Sequence, residues 1–72
     1  MPKAIIHNEI RRLRFEKNEM TQQHLADRIG CTRQTVIMLE QGRYAPSLAL
    51  ALAIAQVFGM PVDDIFTLEN PG

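Results

Sequence analysis

Arg33 and Gln34 stand side by side in a 72-residue chain, directly after a threonine able to start a helix. A guanidinium presents paired N–H donors that match O6 and N7 of guanine, and a carboxamide can pair with N6 and N7 of adenine. Two forked side chains opening one helix therefore have the chemistry to read base-pair edges. The rest of the reactive inventory is sparse. One cysteine, Cys31, cannot form an internal disulfide, and with only His7 and His24 beside it there are too few soft ligands for a zinc site. No nucleophile, general base and orienting group converge in the pattern, so neither an enzyme nor a cofactor is expected.

The elements that must position Arg33 and Gln34 lie in residues 21–42, TQQHLADRIGCTRQTVIMLEQG. Thr21 is placed to cap a first helix with its hydroxyl, and Met20 and Leu25 occupy the two positions of a hydrophobic staple. Leu25, Ala26 and Ile29 recur at helical spacing, and Gly30 supplies the left-handed residue that ends the helix. After a short turn Thr32 caps a second helix, with Cys31 and Val36 at the staple positions. Val36 and Leu39 make its buried stripe, which turns Arg33, Gln34 and Ile37 elsewhere. Small Ala26 leaves room for a close crossing. Two short amphipathic helices joined by a glycine turn, the second opened by forked polar side chains, form the layout of a helix-turn-helix that enters the major groove.

Seventy-two residues are expected to form one domain, 1–72, and a chain this short buries only about 60% of the surface its unfolded form exposes. Oligomerisation would add to its stability. No run approaches the roughly 20 apolar residues needed to span a bilayer, and the apolar stretch at the N-terminus is too short for a signal peptide. The expected location is cytoplasmic, with no membrane partner. A net charge of zero conceals a split. All eight basic residues (Lys3, Arg11, Arg12, Arg14, Lys17, Arg28, Arg33, Arg43) lie in residues 1–43 with five acids, a balance of +3; Asp63, Asp64 and Glu69 give the remainder −3. One basic face directed at phosphates and an acidic face turned away suits a nucleic-acid partner, because local potential steers binding more than the total does.

Along the rest of the chain, residues 3–6 form a short apolar segment able to be extended. Asn8 is placed to cap a first helix running to about Asn18, with Ile10 and Leu13 facing the core. Gly42, followed by Pro46, closes the helix that carries Arg33. Ser47 caps a further helix through Phe58, Gly59 stops it, and Pro61 with Asp63 and Asp64 favours a short fifth helix near residues 62–66. The segment SLALALAIAQVF contains no charge, and Ala49 and Ala53 fall where an exposed face is usually polar. Such a helix implies apolar contact on two sides, the second being another subunit, unless alanine merely fills tolerant surface positions.

The pieces Thr21-Gln22, Leu25-Ala26, Gly30, Thr32-Arg33-Gln34-Thr35, Leu39-Glu40, Gly42-Arg43-Tyr44, Pro46-Ser47-Leu48 and Asp64-Ile65-Phe66 together resemble the Xre family of bacterial and phage regulators, the lambda and 434 repressor and Cro group. The likeness covers nearly the whole chain and is strongest to short members of the cytolysin-repressor type. It implies an all-α, five-helix lambda-repressor-like DNA-binding domain, with a small two-stranded β-ribbon pairing residues 4–6 with residues 67–69. It also implies a sequence-specific homodimer acting on double-stranded operator DNA as a transcription regulator, usually a repressor, in association with the nucleoid. Arg33 and Gln34 match base-reading positions. Met38, one turn beyond Gln34, matches another and as an apolar side chain would touch a thymine methyl, with Ile37 a weaker candidate for that role. Gln22 matches a phosphate contact at a helix N-terminus, where free N–H groups face anions. Thr32, Thr35, Arg43 and Tyr44 match further backbone contacts or lie beside them, positioning the protein rather than specifying sequence. Glu40 matches a glutamate that pairs with an arginine of the first helix, for which Arg14 is the partner here.

The departures from the family pattern are small. FEKNEM has one residue more than usual between Arg14 and Thr21, which bears on where Arg14 sits. Gln41 replaces a common asparagine, and His24 a common capping-box glutamate. Cys31 reads as inert packing rather than a redox switch, and His24 as a solvated histidine rather than a pH sensor. Two other functions fit the same bundle. A DNA-binding antitoxin would cover a partner protein with its apolar fourth helix and tail, and a protein-interaction module would have abandoned DNA, although Arg33, Gln34 and the basic bias are all retained.

Overall fold

The computed structural model describes residues 5–69. In chain order the elements are β1 (Ile5–Asn8), α1 (Ile10–Glu16), α2 (Gln22–Ile29), α3 (Arg33–Glu40), α4 (Leu48–Phe58), α5 (Val62–Ile65) and β2 (Phe66–Glu69). Helices α2, α3 and α4 start where the side chains predict. Thr21 accepts from the His24 N–H at 3.0 Å, Thr32 from Thr35 at 3.2 Å, and Ser47 from Leu50 at 3.1 Å, each hydroxyl satisfying a donor that the helix itself leaves open.

Their ends are equally local in origin. Gly30, at φ 75°, turns α2 into α3 in the left-handed region. Gly42, at φ 72°, closes α3 in a Schellman arrangement, in which the Arg43 N–H reaches the Met38 carbonyl at 3.0 Å and the Gly42 N–H the Leu39 carbonyl at 3.0 Å. Arg43 is thereby held against the last turn of α3.

Ile10, Leu25, Val36, Leu39, Ile54 and Ile65 are fully enclosed, so all five helices contribute to one core. Leu13, Met20, Ala26, Ala55 and Val57 complete it, while Ile29 and Cys31 pack against it from the α2–α3 turn. Ala26 is also fully buried, which lets α2 and α3 pack closely. Met20 and Leu25, and Cys31 and Val36, take up their staple positions at or against this core.

Three boundaries differ from expectation. First, α1 stops at Glu16 rather than Asn18, because Asn18 and Glu19 both adopt left-handed backbone, at φ 54° and 53°. At those two residues the chain doubles back, so that the Met20 N–H reaches the Arg14 carbonyl at 2.9 Å. Second, Glu9 rather than Asn8 is the cap residue of α1; Asn8 belongs to β1, although its Oδ1 still accepts from the Ile10 N–H at 3.2 Å. Third, α5 ends at Ile65, and Phe66 already belongs to β2.

The ribbon is antiparallel, with Ile6 opposite Leu68, His7 opposite Thr67 and Asn8 opposite Phe66. It therefore runs two residues further along the first strand than the expected 4–6; residue 4 and residues 70–72 lie outside the described residues. The Glu9 N–H bonds to the Ile65 carbonyl at 3.0 Å, and the Asn8 side-chain amide donates to the Leu39 carbonyl at 2.7 Å. The end of β1 is thus tied both to α5 and to the last turn of α3.

Candidate nucleic-acid interface

In α3 the two buried residues, Val36 and Leu39, leave a stripe through Gln34, Ile37, Met38 and Gln41 on the opposite side, with Arg33 at its margin. Arg33 and Gln34 are exposed, while Ile37 and Met38 are half-buried. Neither Arg33 nor Gln34 has a side-chain partner among the described residues, and the first turn of α3 contains no acid. Their donors are therefore free for a partner in solution. The hydroxyls of Thr32 and Thr35 lie 3.0 Å apart and serve the cap, so only their residual capacity faces outward.

One ion pair braces α3 against α1. Arg14 Nε donates to Glu40 Oε2 at 2.6 Å and Arg14 Nη2 to Glu40 Oε1 at 3.1 Å, with the two side chains only 14% and 7% exposed. The third guanidinium nitrogen, Nη1, donates to the Met20 carbonyl at 2.7 Å. The left-handed turn at Asn18 and Glu19 brings that carbonyl to Arg14. Gln22 Nε2 also donates to Glu40 Oε1, at 3.1 Å, leaving the carboxylate well satisfied.

Gln22 consequently stands at the junction of two grooves. One is lined by Arg14, Thr21, Gln22, Gln23 and Arg33 and joins the start of α2 to the start of α3. The backbone N–H groups of Gln22 and Gln23 have no acceptor among the described residues, as expected for the first turn of α2. The second groove is lined by Arg11, Arg14, Gln22, Ile37, Glu40 and Gln41 and runs between α1 and the last turn of α3. The fold thus gathers Gln22, Arg33 and Ile37 around one surface. Arg43 and Tyr44 are exposed beyond α3 and line neither groove.

Arg11 and Gln41 join this surface without a motif of their own. A signal for Arg11 does exist in the sequence: its neighbour Arg12 has Glu9 and Glu16 at helical spacing, whereas Arg11 has Phe15 four residues on and Arg14 three residues on. Arg12 bridges Glu9 and Glu16, both at 2.9 Å, and the side-chain hydrogen bonds to those two carboxylates raise its guanidinium pKa from the ordinary value. Cys31, at the edge of the core, has its thiol pKa pushed up by burial, and its Sγ lies 3.5 Å from the Thr32 carbonyl. A raised thiol pKa leaves less thiolate, the reactive form. His24 is exposed.

The sequence pattern of the helix-turn-helix family matches residues 10–65. An uncharacterized HTH-type transcriptional regulator of Methanothermobacter thermautotrophicus is 54% identical over 54 residues, covering 74% of this chain and 78% of that protein. A similarly described protein of Archaeoglobus fulgidus is 48% identical over 54 residues, 75% of this chain and 76% of its own length. The Bacillus subtilis regulator YgzD is 44% identical over 63 residues, 88% of this chain and 94% of its own. The relatives are archaeal as well as bacterial, a wider range than the bacterial and phage likeness implies.

Proposed function

The chain belongs to the Xre-type helix-turn-helix family, and on that premise we propose that it is a sequence-specific regulator of transcription that binds double-stranded DNA as a homodimeric repressor. The observation that carries this reading is the first turn of α3, where Arg33 and Gln34 are exposed and unpartnered on a helix anchored by Val36 and Leu39. Arg33 and Gln34 read base edges, Met38 and secondarily Ile37 meet thymine methyl groups, and Gln22, Thr32, Thr35, Arg43 and Tyr44 hold the phosphate backbone. Arg14 and Glu40 keep α1 and α3 in register and make no base contact.

The second subunit covers the loop at residues 44–46, the outer face of α4 and the acidic C-terminal part. Two α3 helices then enter successive major grooves about 34 to 36 Å apart, which calls for a palindromic operator. An antitoxin role uses the same exposed α4 face, at Leu48 and Leu52, for a different protein. Footprinting on the DNA upstream of the chain's own gene tests the proposal. Protection of a two-fold symmetric site is expected, and the absence of any protected or selected sequence would refute sequence reading. Arg43→Ala should weaken binding to all duplexes alike and reduce the salt dependence by about one unit; an unchanged slope argues against its phosphate role.

A further inference from the structure

The arginines of α1 are adjacent in sequence but differ in what holds them. Arg12 is bound to Glu9 and Glu16, and Arg14 is bound to Glu40 and the Met20 carbonyl. Arg11 is exposed and has no hydrogen bond or ion pair among the described residues. It shares a helix face with Arg14, three residues on, and lines the groove whose other wall is Ile37 and Gln41 of α3. The one carboxylate in that groove, Glu40, is already taken by Arg14 and Gln22. Arg11 therefore brings a guanidinium with no ion-pair partner among the described residues to the side of the α3 stripe that carries Gln34 and Met38. Its other flank borders Glu9, Glu16 and Glu19; the first two are bound to Arg12, and Glu19 does not pair with Arg11.

We infer that Arg11 is a DNA-backbone contact, so that the interface extends from the helix-turn-helix onto α1 and seats a phosphate in the groove between Arg11 and Gln41. This rests on the DNA-binding function proposed above. The Gln22 side chain joins this groove to the one reaching Arg33, so a strand crossing Gln22 passes from one groove to the other. A charge at this place also lies near the negative end of the α3 dipole, where a cation stabilises the helix without any ligand. The two roles have different signatures: a structural role moves thermal stability and not salt dependence, whereas a phosphate contact moves salt dependence.

The test uses the full chain and a fluorescent random-sequence duplex titrated over about 50 to 200 mM salt, so that no operator need be known. For Arg11→Gln the slope of log K against log salt should shrink by about 0.9, with affinity falling alike on random and selected DNA. Arg11→Lys should restore the slope, and Arg12→Gln should leave it at the native value. A native slope for Arg11→Gln, or an equal fall for Arg12→Gln, overturns the assignment to Arg11 while leaving the proposed function intact. Absence of salt-dependent duplex binding by the native chain overturns both.

Discussion

The outer faces of α3 and α4 are both left uncovered by the core, yet their chemistry is opposite. On α3 the exposed side chains are Arg33 and Gln34, whose donors have no partner within the described residues. On α4 they include Leu48 at 74% and Leu52 at 49% exposure, beside exposed Ala49, and the helix has no charge along its length. A face of free donors is costly to bury unless the partner supplies acceptors, so it suits bases and phosphates. A face of leucines gains about 25 cal/mol for each Å² removed from water, so it suits another apolar surface. Exposure alone does not distinguish the two partners; the chemistry of what is exposed does.

The comparison breaks most severely if α1 is released from α3. Glu40→Ala leaves Arg14 mostly buried without its carboxylate and should cost about 3 kcal/mol or more of stability, seen as a lower urea midpoint. A midpoint within error of the native chain would mean that Arg14 and Glu40 are not braced as described. Replacing Leu48 and Leu52 together by serine should next dissociate the proposed dimer, at about 3 kcal/mol for the pair, while helicity is retained. Sedimentation at micromolar concentration distinguishes this from a native chain that is already monomeric, an outcome that would remove the proposed meaning of the α4 face.

On the other face, Arg33→Ala and Gln34→Ala should each lose about 1 to 3 kcal/mol of operator binding with the fold unchanged. Equal losses on operator and random DNA, measured by titration, would contradict base reading. The smallest effect concerns the caps: Thr32→Ala and Ser47→Ala should each cost about 1 kcal/mol in thermal unfolding, since each hydroxyl satisfies one N–H at the start of its helix. Only Thr32→Ala should also weaken DNA binding, because its helix carries Arg33. An equal binding loss for Ser47→Ala would dissolve the division of labour between the two helices.

The sequence by itself determined the helix-turn-helix and what its second helix presents. Thr21, Thr32 and Ser47 as caps, Gly30 and Gly42 as left-handed stops, and the spacing of Leu25, Ala26, Val36 and Leu39 all act within about one helical turn, a range over which neighbours in sequence are neighbours in space. The ribbon and the partner of Glu40 were legible only through likeness to a family, since no local rule joins β1 to β2 or residue 14 to residue 40. Tertiary structure decided where α1 ends, with Asn18 and Glu19 in left-handed backbone carrying the Met20 carbonyl to Arg14. It also decided that Arg14 is paired with Glu40 while Arg11 faces the groove beside α3. That outcome depends on where the fold places α1 beside α3, a relation between residues about thirty apart that a periodicity of 3.6 cannot express.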